Sequence, residues 1–195
     1  MYRKALLSVA ALLCTAVFTL AQDFGVKTNL LYDVTSTINI GIESRLSDRW
    51  TADFSGNYNA WPLKGGNTRK KHWLFQPELR YWSCESFSGH FVAVHALVGQ
   101  YNFGGLKNNI SFLGTDFSPL TDYRFQGWAA GGGIAYGYAW ILGRHLNLEA
   151  EIGVGCIYTK YDQFNCVGCG KRVLTGQPHT YIGPTKAAVS LVYIF

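Results

Sequence analysis

A period-two alternation that runs flush to the carboxyl-terminal residue restricts this chain more than any other feature. In Lys186-Ala187-Ala188-Val189-Ser190-Leu191-Val192-Tyr193-Ile194-Phe195, one face takes Ala187, Val189, Leu191, Tyr193 and Phe195. The other begins with Lys186, Ala188 and Ser190. Such a period sends successive side chains to opposite faces of a sheet. A soluble domain seldom finishes on an apolar strand with nothing polar behind it. An outer-membrane barrel does, because its last strand closes the ring and its final aromatic sits at the membrane interface.

The other end points to export. Arg3 and Lys4 precede an apolar run at 5–20, and Thr19-Leu20-Ala21 offers small residues ahead of Gln22. The expectation is a signal peptide over 1–21, cleaved to leave 22–195 as one domain. The run falls short of the roughly 20 residues a membrane helix needs. Cys14 follows the bulky Leu13 too early in the run for lipidation.

Seven further alternating segments precede the terminal one, at 24–33, 37–46, 50–61, 73–82, 91–102, 125–142 and 146–161. The third sets Trp50, Ala52, Phe54 and Tyr58 against Thr51, Asp53, Ser55, Asn57 and Asn59. The fifth sets Val92, Val94, Ala96 and Val98 against His95, Gly99 and Tyr101. In the sixth, Trp128, Ile134, Tyr136 and Trp140 oppose a face of only Gly and Ala, which leaves room for bulky side chains from across a narrow lumen. The polar faces carry both signs of charge: Lys27, Glu43, Arg45, Asp53, Glu78, Arg80, Glu149, Glu151 and Lys186, with His95 among them. In a membrane these must point inward, and the interior of eight strands is just wide enough to be filled by side chains. Connections near Ser47, at 84–89 and at 142–144 are short, while those at 62–72, 103–124 and 162–180 are long, as expected of turns on one side and loops on the other. Only the connection at 34–36 departs from this by being short. The fold expected is an all-β, eight-stranded, antiparallel up-and-down transmembrane barrel in the outer membrane. Aromatic content equals charged content at 15% each, where soluble domains carry about 25% charged residues.

Three stretches carry a resemblance: Lys27-Thr28-Asn29-Leu30-Leu31-Tyr32-Asp33, Gln76-Pro77-Glu78-Leu79-Arg80-Tyr81-Trp82 and Gly183-Pro184-Thr185-Lys186-Ala187. With them the mature chain resembles a domain-of-unknown-function family of small Gram-negative outer-membrane proteins, some encoded near fimbrial genes. The resemblance implies location and fold, and it carries over no functional residue. It also implies that Pro77 belongs to the fourth strand, although proline cannot donate to a ladder.

Few constellations suggest chemistry. Cys166-Val167-Gly168-Cys169 is half of a zinc knuckle, and a structural zinc needs four ligands. His179 could supply a third, with no fourth evident. In an exported chain a short-range disulfide between Cys166 and Cys169 is the preferred reading, with metal or free thiols as alternatives. Cys84 and Cys156 are left unpaired. His95 among inward carboxylates suggests a hydrolytic site, but no serine motif accompanies it, and a place in the interior polar network is the simpler reading. Gly131-Gly132-Gly133 lies within a strand rather than before a helix, so packing explains it better than phosphate binding. No catalytic, cofactor or metal residues are assigned. The basic run Arg69-Lys70-Lys71-His72 is read as a solvated loop, and a net charge of +5 without a basic motif argues against nucleic acid. The expected role is non-enzymatic: a barrel with a plugged polar interior, structural or surface-interacting. Its expected partners are the lipid bilayer and lipopolysaccharide, with fimbrial or surface proteins as an option. The alternatives are an outer-membrane enzyme acting on lipid or lipopolysaccharide, and a soluble lipocalin-like binder. The latter would need an apolar interior and lacks an early Gly-x-Trp signature.

Overall fold

A computed structural model describes residues 24–61, 68–105, 111–112, 115–116, 118–166 and 170–195. The expected signal peptide at 1–21 lies outside the described residues. Eight strands form the wall: β1 (Phe24–Asn29), β2 (Ile38–Ser47), β3 (Trp50–Asn59), β4 (Arg69–Trp82), β5 (Gly89–Gly104), β8 (Arg124–Ile141), β9 (Leu146–Phe164) and β10 (Arg172–Ile194). Each pairs antiparallel with its sequence neighbour, and β10 pairs with β1 to close the ring. Two-residue strands β6 (Ser111–Phe112) and β7 (Thr115–Asp116) form a small separate hairpin between β5 and β8. Neither described helical segment, α1 (Leu30–Val34) or a 3-10 turn (Ser118–Leu120), is long and apolar enough to cross a membrane.

Followed around the ring from Gly25, the ladder passes Glu43, Asp53, Glu78, His95, Gly133 and Gly155 and reaches β10 at Gly183. Gly25 itself pairs with Ile194. That stagger tilts the strands roughly 40° from the barrel axis, as closure of eight strands requires.

The two faces are the inverse of those of a soluble barrel. Val94 is 65% and Ile152 61% exposed on the outside, while inward-facing Glu43 is 0% and Arg80 1% exposed. Aromatics ring the outer surface at two levels. Trp50 and Tyr81 (centroids 5.1 Å apart), Trp140, Tyr193 and Phe195 lie toward the turn end. Tyr58, Trp73 and the pair Trp128 and Tyr158 (5.8 Å) lie toward the loop end.

Several expectations need correction. The first strand stops at Asn29 instead of running to Asp33. The Asn29 side chain caps α1 by accepting from the Leu31 N–H at 3.1 Å. Thr28 Oγ1 and Asn39 Nδ2 both donate to the Asp33 carboxylate, at 2.9 and 2.8 Å. Local polar side chains here outcompete the ladder for the backbone. The basic run at 69–72 is strand, not loop. The last hairpin extends well past its expected ends, and its connection shrinks to 165–171. Pro77, by contrast, sits within β4 as expected, opposite Phe54, and no ladder pair to β5 forms between Phe75–Val98 and Glu78–His95.

Glycine on β8 serves two purposes. A Cβ at Gly137 would fall 2.2 Å from the Phe91 ring, so this glycine does make room for a bulky neighbour. A Cβ at Gly131 would instead meet the Cys156 carbonyl oxygen at 2.3 Å, so there the need is close approach of β8 to the β9 backbone.

Candidate functional site

The barrel interior is the site that the alternation builds. The inward faces of β1 to β4, β9 and β10 are largely polar, and their charged residues meet at mid-barrel. Lys27 Nζ contacts Glu43, Asp53 at 2.7 Å and Glu149 at 3.3 Å. Arg80 is the hub. Its Nη1 lies 2.8 Å from Glu43 and 2.9 Å from Glu149, its Nη2 2.8 Å from Glu151 and 3.3 Å from Asp53, and its Nε donates to Glu78 at 2.5 Å. The guanidinium also lies 4.4 Å from the centroid of the Phe91 ring, a cation–π contact that covers its remaining face. Lys186 Nζ joins Glu78 to Glu151, at 2.5 and 3.1 Å. Lys27, Arg80 and Lys186 thus tie together five carboxylates from four strands.

His95 adjoins this set without entering its ion pairs. Its Nε2 lies 2.8 Å from Thr185 Oγ1. Thr185 can reach it because β10 carries a bulge: Pro184 pairs with Val154 and Lys186 with Gly153, leaving Thr185 as the extra residue. The bulge lets consecutive residues, Thr185 and Lys186, both point inward. Arg45 is placed apart from Arg80, with its guanidinium 5.8 Å from the Phe87 ring centroid toward the turn end.

Other participants are not apparent from charge alone. Thr51 Oγ1 donates to Glu43 and accepts from Trp82 Nε1 at 2.9 Å. Trp82, Phe87 and Phe91 close the turn end from within, with Trp82 and Phe91 centroids 4.6 Å apart. Phe87 enters from the turn between β4 and β5 in the left-handed region, at φ 66°. Asn147 Nδ2 fixes it by donating to the Phe87 carbonyl at 2.6 Å. Alternation does place Thr51 and Trp82 on the inward face, which is the one signal that could have found them. Nothing in the pattern marks Phe87.

On the loop side, a cavity of about 30 Å³ remains beside the network, bordered by Tyr32, Gly41, Asp53, Gln76 and Arg80. That is space for a water or two rather than a channel. Asp53 Oδ1 is buried without a hydrogen-bond partner among the described residues, so a water there would be held. Burial pushes the Tyr32 phenol above its ordinary value.

Chemically, this arrangement fills and rigidifies a lumen. His95 and Thr185 have the elements of a base and a nucleophile, but His95 Nδ1 has no orienting acceptor among the described residues and the ring is 2% exposed. No group of three or more His, Cys, Asp or Glu among the described residues could hold a metal ion. Cys169, half of the expected disulfide, lies outside the described residues. Cys84 and Cys156 are free and exposed.

A protein-family model described as Protein of unknown function (DUF3575) matches residues 6–195. No curated protein and no solved structure matches the chain.

Proposed function

The chain belongs to the family described as Protein of unknown function (DUF3575), and from that premise we propose a non-enzymatic, integral outer-membrane barrel. Its interior is plugged, and its role is structural or surface-interacting. The observation that carries this reading is the inverted distribution of polarity. Ion pairs fill the closed ring while Ile42, Phe54, Leu79, Val94, Ile134 and Ile152 face outward. Exposed apolar surface on that scale suits a hydrocarbon surround. Closure supports it too, because a spanning sheet in lipid can leave no open edge. The two aromatic levels supply the interface anchors. From Tyr81 to Trp73 along β4, eight residues at about 3.3 Å each, tilted by roughly 40°, cover on the order of 20 Å of bilayer. Outer-membrane barrels carry an apolar band about 25 Å tall.

Spin labels at Phe54 and Ile152, in the barrel reconstituted in vesicles, test this directly. Both are expected to be accessible to lipid-dissolved oxygen and shielded from aqueous quenchers. Aqueous accessibility at both positions removes the membrane reading.

A further inference from the structure

On the outside of β3, β4, β5, β8 and β9, the aromatic level at the loop end does not give way at once to loops. Tyr58, Trp73, Gln100, Trp128 and Lys160 follow one another as direct ladder partners and share the outward face. One step further from the apolar band, Lys71, Asn102, Gln126 and Asp162 do the same. These residues border a groove of about 700 Å³. The Trp73 ring is held in place by its Nε1 donating to Gln100 Oε1 at 3.2 Å. Asn102 Nδ2 donates to Gln126 Oε1 at 3.4 Å, while Asn102 Oδ1 is buried and accepts nothing among the described residues. Beyond the groove, the Arg124 guanidinium stacks 4.0 Å from the Phe164 ring centroid.

This combination has a chemical meaning. Half-exposed indole and phenol rings offer flat apolar faces that fit the C–H face of a pyranose. Adjacent carboxamides offer both donors and acceptors to sugar hydroxyls. Lys71 and Lys160 offer charge to phosphate, and Asp162 is the acid that borders the groove. Just below it, toward the turn end, Phe75, Val98 and Ile134 make an apolar wall suited to acyl chains. We infer that this groove binds the phosphorylated glycan headgroup of a glycolipid whose chains lie against the apolar band. The inference rests on the membrane reading and assigns a partner to the outer face of that barrel.

The test is a titration of the refolded barrel in non-ionic detergent, read by native mass spectrometry. The three probes are a bis-phosphorylated glucosamine-disaccharide lipid, its dephosphorylated form and phosphatidylglycerol. A one-to-one adduct is expected with the first probe. Binding should weaken about ten-fold or more on dephosphorylation and in the Lys71→Gln/Lys160→Gln variant, in keeping with charged hydrogen bonds lost. The variant's folding is checked by heat-modifiable gel migration. A control, Arg49→Gln/Arg144→Gln, removes two cations from the turn end and should leave binding unchanged. Equal binding of phosphatidylglycerol, no loss in the lysine variant or an equal loss in the control overturns the inference. If the Ile152 label reports lipid while these results go against the groove, only this inference fails. If the Phe54 and Ile152 labels both report water, the membrane reading falls with it.

Discussion

At the scale of single residues, Arg80 carries the interior. Its guanidinium contacts Glu43, Asp53, Glu78, Glu149 and Glu151 together. Removing it leaves those carboxylates facing one another with one central cation fewer to offset them. A lost partner in a buried ionic set typically costs about 3–5 kcal/mol, since the charge left behind has no water to solvate it. Arg80→Ala is therefore expected to lower the unfolding free energy of the refolded barrel by about that amount in a denaturant titration. An unchanged midpoint with unchanged slope would mean that the network adds nothing to stability. The inward set was legible in the sequence because its charges fall on the same alternating face as the other polar residues of each strand. Thr185 was not legible. Its inward direction comes from the bulge, which adds a residue and breaks the alternation that any sequence reading relies on. Phe87 was hidden for a related reason, since a turn residue at positive φ has no periodic partner to reveal its direction.

At the scale of elements, the terminal strand bears closure. Val26 pairs with Tyr193, the Phe195 N–H donates to the Phe24 carbonyl at 3.0 Å, and the Phe24 and Phe195 rings lie 5.8 Å apart. The Ile194 N–H is also held by the His145 carbonyl at 2.8 Å. Replacing both Tyr193 and Phe195 by Ser takes two aromatics from the outside of the seam. The expected result is accumulation in the periplasm or degradation, with export intact, as seen by fractionation and immunoblotting. Normal assembly of that variant would show that the aromatics are dispensable for closure. Strand existence and face were readable along nearly the whole chain because alternation persisted. Strand ends were not. In 30–34 the alternation of Leu30 and Tyr32 continues β1 on paper, but the Asn29 cap and the bonds from Thr28 and Asn39 to the Asp33 carboxylate favour α1. Gly176, at φ +61°, and the register shifts between Arg172 and Gln177 similarly disguised the outer part of β10 as loop.

At the scale of the whole molecule, the wall is uneven. The ladder between β9 and β10 runs from Leu146–Tyr193 to Phe164–Arg172, whereas the one between β1 and β10 runs only from Gly25–Ile194 to Asn29–Ser190. Between β1 and β2 it covers Phe24–Ser44 to Lys27–Gly41. The ring is thus stitched thickly through its later strands and thinly where its two ends meet. Opening events that stop short of global unfolding should follow that thin line. In hydrogen exchange by mass spectrometry on the reconstituted barrel, amides of β1 and β2 are expected to exchange faster than those of β8 and β9 at equal depth from the interface. Uniform protection around the ring would rule out a preferred seam. Because Lys27 stands on β1 and reaches across to Glu149 on β9, the ionic cluster acts as a rivet through that hem. It fastens the thinly sewn margin to the opposite panel, so the charge that blocks the passage also keeps the cylinder from unrolling.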